Sequence, residues 1–388
     1  MRILIVHNKY QHAGGEDVAV ALQQKLLQQK GHEVKVLFFD NKQLSSNKIS
    51  AAFKSIYNRA AEQELAGVVK EFNPDIVHVH NFFFAASPSI FIACKKMSIP
   101  VVITIHNYRL ACANALFLRN NSPCELCRNQ LFGLSGIRYK CYRNSATESA
   151  LVTSITAIHK IAGTWKNKIN RFIFLTEFAK EKLLNSSLSI ANPQATVIPN
   201  FTTDVGPGNT PREQYYLFVG RLVPEKGLSS MLEAFKKTGL HLRIAGDGPD
   251  KETMQQQHEV YPNIMFMGNL SKDQVSESMK NAKALIFPSL WYEGLPYTII
   301  ESLSAGTPVI ASKLGAMQEL ITDGYNGFHF EAGNAVALAE CIMRFEHGNT
   351  GPLYVNARRS YVEHFHPDIH YQQLQNLYSQ VITESKNE

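Results

Sequence analysis

Short apolar segments alternate with helix-compatible segments along most of the chain, and this alternation restricts the fold more than any other feature. In the first half, strands are predicted at residues 2–8, 32–39, 75–81 and 101–107. Helices are predicted between them, at residues 16–30, 60–71 and 87–97. Strands that alternate with helices pair in parallel and are covered by helices on both faces. The sequence therefore predicts an α/β fold built on parallel sheets.

The alternation restarts in the second half of the chain. Further strands are predicted at residues 215–222, 242–248, 263–269, 282–289 and 307–312. Residues 200–213, rich in Gly, Pro, Asn and Thr, are typical of a linker. A length of 388 residues also suits two domains rather than one. We therefore predict domains at 1–199 and 200–360, followed by a helical tail at 361–388 that returns to the first domain.

Composition and charge narrow the class of protein. The chain is 45% hydrophobic and 19% charged, so each domain can bury a core. The net charge of +6 suits phosphate-bearing ligands or an anionic membrane surface, and no nucleic-acid-binding signature is visible. The apolar run that starts at Ile3 is too short for a secretory signal, and no apolar run reaches membrane-spanning length. A cytoplasmic location is expected.

The residues that follow each predicted strand are the candidates for ligand binding, because ligands of open parallel sheets bind beyond the carboxyl ends of the strands. Gly14 and Gly15 would let the backbone approach a ligand at the start of a helix, where anions are favoured. Arg221 and Lys226 could hold a diphosphate by charge-assisted hydrogen bonds, although two solvated surface charges are the simpler alternative. The segment 245–252 lacks the third glycine of a dinucleotide-binding motif, which disfavours an oxidoreductase.

Two carboxylates stand eight residues apart around the start of a predicted helix. Glu293 falls in the loop after a strand, and Glu301 falls on the second turn of the helix that follows. Carboxylates accept hydrogen bonds from the vicinal hydroxyls of sugars, so this pair could grip two parts of one elongated ligand. The alternative is a helix-capping acid and an exposed helical acid.

Several of these segments together carry a family resemblance. In chain order they are GRLVPEKG, AGDGP, FMGNLS, PSLWYEGLPYTIIESLSAGTPVIAS and DGYNGFHF. They resemble the second domain of the retaining GT-B glycosyltransferases with a Glu-x7-Glu signature (glycosyltransferase family 4-like, group 1). The first half resembles that family more weakly, through GGE at 14–16 and VVITIHN at 101–107. The resemblance implies two facing Rossmann-like domains with parallel sheets and a cleft between them.

The resemblance also implies roles for individual residues. Arg221, Lys226, Gly14 and Gly15 would bind the donor diphosphate. Glu301 would hold the ribose, and His106 and Glu293 would lie at the reaction centre. The donor sugar would meet the backbone of four consecutive residues, Gly294, Leu295, Pro296 and Tyr297. From the residues alone, a strand-end histidine such as His106 is more often a packing residue.

The activity that the resemblance implies is transfer of a sugar from a nucleotide-sugar donor to a hydroxyl of a glycan or lipid-linked acceptor. Net retention, no catalytic metal or other required cofactor, and a role in bacterial surface polysaccharide or glycolipid assembly are expected of the family. The alternatives are an epimerase or a phosphorylase on the same fold, and a non-catalytic protein that binds nucleotide sugars.

Four of the six cysteines lie in one long segment after His106, an insertion at 108–145. These are Cys112, Cys124, Cys127 and Cys141. Four thiolates with a Cys-x2-Cys core are a plausible structural zinc site, and buried free thiols are the alternative. Similar insertions occur in family members that build surface polysaccharides.

A basic segment at 155–183 suggests peripheral contact with an anionic membrane at its inner face. The segment combines Lys160, Lys166, Lys168 and Arg171 with Trp165 and several aliphatic residues. Such a pattern is typical of an amphipathic surface that contacts anionic lipid. The alternative is a core-packing helix with one solvated face.

Overall fold

The computed structural model describes residues 1–9, 14–44, 47–209, 211–258 and 260–387. It contains two compact units. The first comprises residues 1–117, 124–200 and the C-terminal segment from His370, and the second comprises residues 118–123 and 201–369. The predicted boundary at 199/200 thus lies one residue from the junction between Asn200 and Phe201. Among the described residues, no helix has the length and apolarity that a membrane span requires.

Eight strands lie in the described part of the first 200 residues. They are β1 (Arg2–Lys9), β2 (Glu33–Asp40), β3 (Ile76–Asn81), β4 (Val101–Ile105), β5 (Leu118–Arg119), β6 (Ser122–Pro123), β7 (Arg171–Phe174) and β8 (Ala195–Val197). Six of them form one parallel sheet in the order β2-β1-β3-β4-β7-β8, while β5 and β6 form a short antiparallel hairpin. All residues of β3 and β4 are buried, as is typical of central strands in a parallel sheet.

Eight helices accompany these strands. They are α1 (Gly15–Gln29), α2 (Lys48–Ile56), α3 (Arg59–Phe72), α4 (Ser89–Lys96), α5 (Leu134–Arg138), α6 (Ala146–Ile161), α7 (Thr164–Asn167) and α8 (Glu177–Leu184). Helix α3 shows how the sequence sets its bounds. The Asn58 side chain accepts hydrogen bonds from the first backbone N–H groups, and Asn73 ends the helix in the left-handed conformation.

The second unit repeats the architecture. Its strands are β9 (Tyr216–Val219), β10 (Leu242–Ala245), β11 (Ile264–Gly268), β12 (Leu285–Phe287), β13 (Val309–Ser312) and β14 (Gly327–Phe330). They form a parallel sheet in the order β11-β10-β9-β12-β13-β14. Its helices are α9 (Leu228–Thr238), α10 (Lys251–His258), α11 (Lys272–Asn281), α12 (Tyr297–Ser304), α13 (Met317–Leu320), α14 (Ala335–His347) and α15 (Gly351–His364). Two Rossmann-like units of six parallel strands confirm the predicted GT-B fold class.

The C-terminal tail consists of two helices where the sequence predicted one. Helix α15 ends at His364, and a further helix, α16 (Pro367–Asn387), follows after a short break. Residues 361–369 belong to the second unit, and the residues from His370 onward belong to the first. Leu374 and Val381 of α16 pack into the core that contains Ile3 of β1.

Candidate active site

The sheet of the second unit reverses its strand order between β9 and β12, which is where doubly wound folds bind ligands. The loops after these two strands meet through an ion pair. Lys226 Nζ lies 2.6 Å from Glu293 Oε1, and Ser289 Oγ donates to the same oxygen at 2.8 Å. The two charged side chains are 16% and 7% exposed. The structure therefore brings together one predicted phosphate ligand and one predicted sugar ligand.

A glycine makes this approach of two loops possible. Gly227, directly after Lys226, has a φ of +71°, and a Cβ there would overlap the carbonyl oxygen of Pro288 at the end of β12. Leu290 N donates to Glu225 O at 2.9 Å and fixes the two loops further. The expectation that Lys226 is a solvated surface cation is therefore wrong, because its ammonium is enclosed beside Glu293.

Arg221 differs from Lys226 in its surroundings. Its side chain is 73% exposed, and its guanidinium lies 3.9 Å from Glu225. It lines a cavity of about 350 Å³ together with Gly246, Asp247 and Asn269, which follow β10 and β11. A Cβ at Gly246 would overlap the carbonyl oxygen of Gly220, so this glycine is needed where the two strand ends approach.

Sequence reasoning assigned no role to Asp247 and Asn269. The two side chains are exposed, and Asn269 Nδ2 donates to Asp247 Oδ2 at 3.3 Å. The rule that singled out Arg221 would also have found them, because both residues follow the carboxyl ends of strands of the same sheet.

Helix α12 begins where the sequence predicted. Pro296 occupies its N-cap position, Tyr297 is its first residue, and Glu301 lies on its second turn. Burial raises the pKa of Glu301, and the positive charge of Lys272 opposes that shift. Leu295 is buried, at 7% exposed.

In the first unit, the strand order reverses between β1 and β3. Helix α1 begins at Gly15, and its start is tied to β1 through one carboxylate. Gly14 N donates to Asp17 Oδ2 at 2.8 Å, and His7 Nε2 lies 3.0 Å from Asp17 Oδ1. Both predicted glycines thus lie at the N-terminus of a helix beyond a strand end, and residues 10–13 of the same loop are outside the described residues.

His106 follows the last residue of β4 and belongs to a stack of three imidazoles. His80 packs against His78 with ring centroids 4.4 Å apart and against His106 at 5.2 Å. His80 Nδ1 lies 2.9 Å from His106 Nε2, and His78 Nδ1 lies 2.6 Å from the hydroxyl of Tyr378 on α16. Burial lowers the pKa of His106 to about 3, so its ring is neutral at physiological pH.

The hydrogen bonds of the stack indicate which nitrogens carry protons. His80 Nε2 is buried and has no hydrogen-bond partner in the described part of the chain. A buried N–H without an acceptor is rarer than a lone pair without a donor, so the proton of His80 belongs on Nδ1. His80 then donates to His106 Nε2, and the neutral His106 carries its own proton on Nδ1.

Three asparagines hold the loop that follows β3. Asn8 Oδ1 accepts from the backbone N–H groups of Ala85 and Ala86 at 2.9 and 3.1 Å. Asn41 Oδ1 accepts from Ala85 N at 3.0 Å, and Asn81 Nδ2 donates to Asn8 O at 2.9 Å. Sequence reasoning missed this network, because its members lie at or directly after the ends of three different strands and meet only in the folded sheet.

The four cysteines of the insertion are free thiols in the structure. The pKa of Cys127 is raised to about 12, mainly by burial and in smaller part by the other three thiols. Cys112 Sγ donates to Asn114 Oδ1 at 2.9 Å. Within the described ranges, no group of three His, Cys, Asp or Glu side chains is placed to hold a metal ion. The other three thiols are near enough to Cys127 to influence its ionisation.

The segment at 155–183 does not form the predicted basic amphipathic surface. It spans α6, α7, β7 and α8, and Trp165 is buried. Lys160 Nζ donates to Ser187 Oγ and to two backbone carbonyls, and burial lowers its pKa to about 8. Arg171 lies in β7 and forms a bidentate ion pair with Glu384 of α16. Lys166 is exposed and Lys168 is half-buried.

Family models match both halves of the chain. Residues 203–363 match the model described as glycosyl transferases group 1, and residues 13–203 match the model of glycosyltransferase family 4. An uncharacterized glycosyltransferase of Methanocaldococcus jannaschii is 27% identical over 69% of this chain and 64% of its own length. The phosphatidyl-myo-inositol mannosyltransferase of Mycobacterium leprae is 26% identical over 52% of this chain and 56% of its own length. The chain thus spans less than two thirds of both curated relatives.

The likeness to solved structures covers nearly the whole chain. HepE of Anabaena, solved in complex with UDP-glucose, aligns with a TM-score of 0.68 over 98% of this chain and 100% of its own. The sequence identity of that alignment is 16%, so the two proteins share a fold.

Proposed function

Because this chain belongs to the glycosyltransferases of group 1 and family 4, we propose that it transfers a sugar from a nucleotide-sugar donor to an acceptor hydroxyl. The observation that carries the proposal is the Lys226–Glu293 pair at the switch point of the second unit. Without a donor, the ammonium and the carboxylate are paired with each other. When a donor binds, the ammonium could contact the diphosphate, and the carboxylate could accept hydrogen bonds from sugar hydroxyls.

The donor diphosphate would bind between Arg221 and Lys226. Arg221 is exposed at the cavity beyond β9, and its fork of N–H donors suits bidentate contact with phosphate oxygens. Lys226 would exchange part of its interaction with Glu293 for a phosphate oxygen. As the sugar leaves, these cations would stabilise the negative charge that develops on the leaving diphosphate.

We propose that the donor is a uridine diphosphate sugar. The support is the fold shared with HepE, whose solved complex contains UDP-glucose. Glu301 would accept hydrogen bonds from the ribose hydroxyls, and these hydrogen bonds would favour the charged carboxylate against the burial that raises its pKa. Asp247 and Asn269 would line the part of the cavity nearest the base or ribose.

The transfer would proceed with retention at the anomeric carbon. The bond between that carbon and the diphosphate oxygen breaks, the bond to the acceptor oxygen forms on the same face, and the acceptor proton passes to the leaving phosphate. Glu293 would position the sugar hydroxyls during this step. The neutral His106 would donate from Nδ1 to a hydroxyl of the same sugar, and His80 would fix that tautomer.

The acceptor would be a glycan or a lipid-linked molecule used in surface polysaccharide or glycolipid assembly. The support is the similarity to a phosphatidyl-myo-inositol mannosyltransferase, whose name specifies a lipid acceptor. Incubation with a panel of uridine, guanosine and adenosine diphosphate sugars, with and without acceptors, tests the function. Release of nucleoside diphosphate that requires an acceptor supports a transferase. Interconversion of the donor sugar would indicate an epimerase, turnover that requires inorganic phosphate would indicate a phosphorylase, and binding without turnover would indicate a sensor.

A structural zinc ion at Cys112, Cys124, Cys127 and Cys141 is a separate proposal. The proximity of the four thiols supports it, although they would have to draw together and ionise to ligate the metal. Elemental analysis of protein from zinc-replete cells tests it. About one zinc per chain, lost in Cys124→Ser/Cys127→Ser, is the expected result for a closed four-thiolate site. Active protein without zinc would contradict it.

Of the exposed apolar residues that could support peripheral contact with an anionic membrane, Ile161 belongs to the predicted segment, and Ile49 and Phe53 lie outside it. Ile49 and Phe53 of α2 and Ile161 of α6 are 69%, 70% and 66% exposed. The two helices are joined by His159 Nε2 and Ile56 O, 2.9 Å apart, and Lys54 adds an exposed cation. Sedimentation with phosphatidylglycerol vesicles, compared with Phe53→Ser/Ile161→Ser, tests this proposal. Equal binding by both proteins would contradict it.

A further inference from the structure

The segment at 107–147 concentrates the positive charge of the chain. It contains six arginine or lysine residues and one acidic residue, which gives a net charge of +5 out of +6 for the whole protein. The single acid, Glu125, is already paired with Arg128 and Lys182, each at 2.6 Å. The segment therefore carries more cations than acids, as a site for an anionic ligand would.

Arg109 is the cation of this segment that lies nearest to His106 in the sequence, three residues after it. Its guanidinium lies over the rings of Phe83 and Tyr142, 5.6 and 5.1 Å from their centroids. Its side chain has one polar contact, Ala113 O at 3.5 Å, and no acidic side chain of the described residues contacts it. Stacking limits the rotamers of Arg109, so its N–H donors are ordered before a ligand arrives.

The backbone of Arg109 is fixed as well. Arg109 N donates to Asn107 Oδ1 at 3.0 Å, and Asn107 Nδ2 donates to Glu16 Oε1 of α1 at 2.6 Å. The loop after β4 is thus anchored to the helix that begins at the switch point of the same sheet. The guanidinium is held at the carboxyl end of the sheet, where a ligand is expected.

A second guanidinium contacts the same aromatic ring. Arg143 lies over Tyr142 at 5.3 Å, and its contact with Glu148 is long, at 3.5 Å between two exposed side chains. Exposed ion pairs of this kind contribute little. The ring of Phe84 packs beside Tyr142, with centroids 6.0 Å apart. Two weakly compensated guanidinium groups on an aromatic surface suit a ligand that joins a multivalent anion to a sugar or an apolar chain.

We propose that Arg109 and Arg143, both stacked on Tyr142, bind a phosphate or diphosphate group of the acceptor. The acceptor hydroxyl would then be held near His106. This inference rests on the proposed transferase function and names the acceptor class, a phosphorylated glycan or isoprenoid. A group with a charge near −2 matches two planar donor forks better than a single carboxylate does.

Calorimetry with soluble probes tests the proposal. Citronellyl diphosphate and inorganic diphosphate are titrated into full-length protein that is saturated with UDP, so that the donor site is occupied. We expect both to bind, and Arg109→Gln and Arg143→Gln each to weaken binding by about tenfold to a hundredfold. Arg138→Gln is the matched control, because this exposed arginine of the same segment lies over Tyr139 rather than Tyr142. It should leave the affinity unchanged.

Several outcomes would overturn the proposal. These are an absence of diphosphate binding, tighter binding of glucuronate than of either diphosphate, binding to phosphatidylglycerol vesicles alone, and an equal loss of affinity in Arg138→Gln. Far-ultraviolet circular dichroism and the melting temperature verify that each variant folds. If UDP itself does not bind, the uridine assignment fails, and the panel of nucleotide sugars decides the transferase proposal separately. The titrations are then repeated without UDP on the Arg221→Ala/Lys226→Ala variant. Its donor diphosphate ligands are removed, so diphosphate binding to this variant reports the acceptor site.

Discussion

Both units are built on six parallel strands in different strand orders, and the buried groups at the carboxyl ends of their sheets differ in charge. In the second unit, a buried ammonium and a buried carboxylate, Lys226 and Glu293, meet beside the exposed Arg221. In the first unit, the buried side chains near the ends of β1 and β3 are neutral imidazoles and amides, among them His80 and Asn8, and cations such as Arg109 lie in the loops beyond the strands. The difference shows one fold adapted to two tasks. Charged side chains that can exchange partners suit a charged ligand. Neutral hydrogen-bond networks hold loops in place and orient the hydroxyl groups of a ligand.

The neutrality of the buried histidines in the first unit depends on pH. Burial lowers the pKa of His78 and His106 to about 3 and that of His370 to about 4, and it lowers the pKa of His80 well below its usual value. The unfolded chain binds protons at these positions below about pH 6.5, and the folded unit does not. The stability that these groups contribute is therefore complete above pH 6.5 and declines as the pH falls toward 3.

Among the tests of this comparison, acidification should give the largest effect, a loss of stability in the first unit. Between pH 6.5 and 5, the free energy of unfolding of the first unit should fall by about 1.4 kcal/mol per pH unit for each buried histidine. Hydrogen exchange of β3 and β4, compared with β9 and β12, measures the two units separately. Loss of protection in the second unit before the first would contradict the comparison.

Replacing Lys226 should give the next largest effect and involves both activity and folding. Lys226→Ala should lower the transfer rate by about 30- to 1000-fold, since 2–4 kcal/mol of transition-state stabilisation is lost. It should also destabilise the second unit by about 2–4 kcal/mol, because it removes the ammonium that neutralises the buried Glu293. Steady-state kinetics and chemical denaturation measure the two effects.

Arg221→Ala is the control for that experiment. Its side chain is 73% exposed, so its loss should change stability by less than about 0.5 kcal/mol. Its transfer rate should still fall within the range expected for a phosphate ligand. Wild-type rates in both variants would refute the diphosphate assignment, and equal losses of stability would refute the difference in burial.

Sequence reasoning found the second unit's candidate site more completely than the first's. Arg221, Lys226, Glu293 and Glu301 lie in short loops and one helix that directly follow predicted strands, so sequence position alone placed them at one sheet edge. The pairing of Lys226 with Glu293 could not be predicted, because it depends on how closely Gly227 lets two loops approach. Strands β7, β8 and β14 were also missed, and β7 was mistaken for part of a basic amphipathic segment.

In the first unit, the missed contacts join residues that are far apart in the chain. Asn8 and Ala85 are 77 residues apart, and His78 and Tyr378 are 300 residues apart. A single asparagine or histidine in a loop carries no signal of its distant partner. Such networks follow from strand order and register, which no local pattern of residues specifies.

The asparagine network offers a smaller test of the comparison. Asn8→Ala should cost about 1–3 kcal/mol of stability, because the buried N–H of Ala86 loses its acceptor, while Ala85 N–H keeps only Asn41 Oδ1. Asn269→Ala, in the second unit, removes an exposed amide and should cost less than about 0.5 kcal/mol. Urea denaturation measures both variants. Similar costs would show that the first unit does not depend on its amides as proposed.

Replacing Glu301 and Glu293 one at a time should give the smallest effects. The two effects should differ clearly, because one acid is assigned to nucleotide binding and the other to turnover. Glu301→Ala should weaken UDP binding by about tenfold to a hundredfold, since it removes a carboxylate that would accept hydrogen bonds from the ribose. Glu293→Gln should reduce turnover, yet it should raise UDP affinity by up to about tenfold, because Lys226 is released from its carboxylate and can turn fully to the diphosphate. Calorimetry with UDP, set beside turnover, separates the two variants. An equal loss of UDP affinity in both would mean that the Lys226–Glu293 pair is a fixed structural element of the second unit rather than a pair of charges available to a ligand.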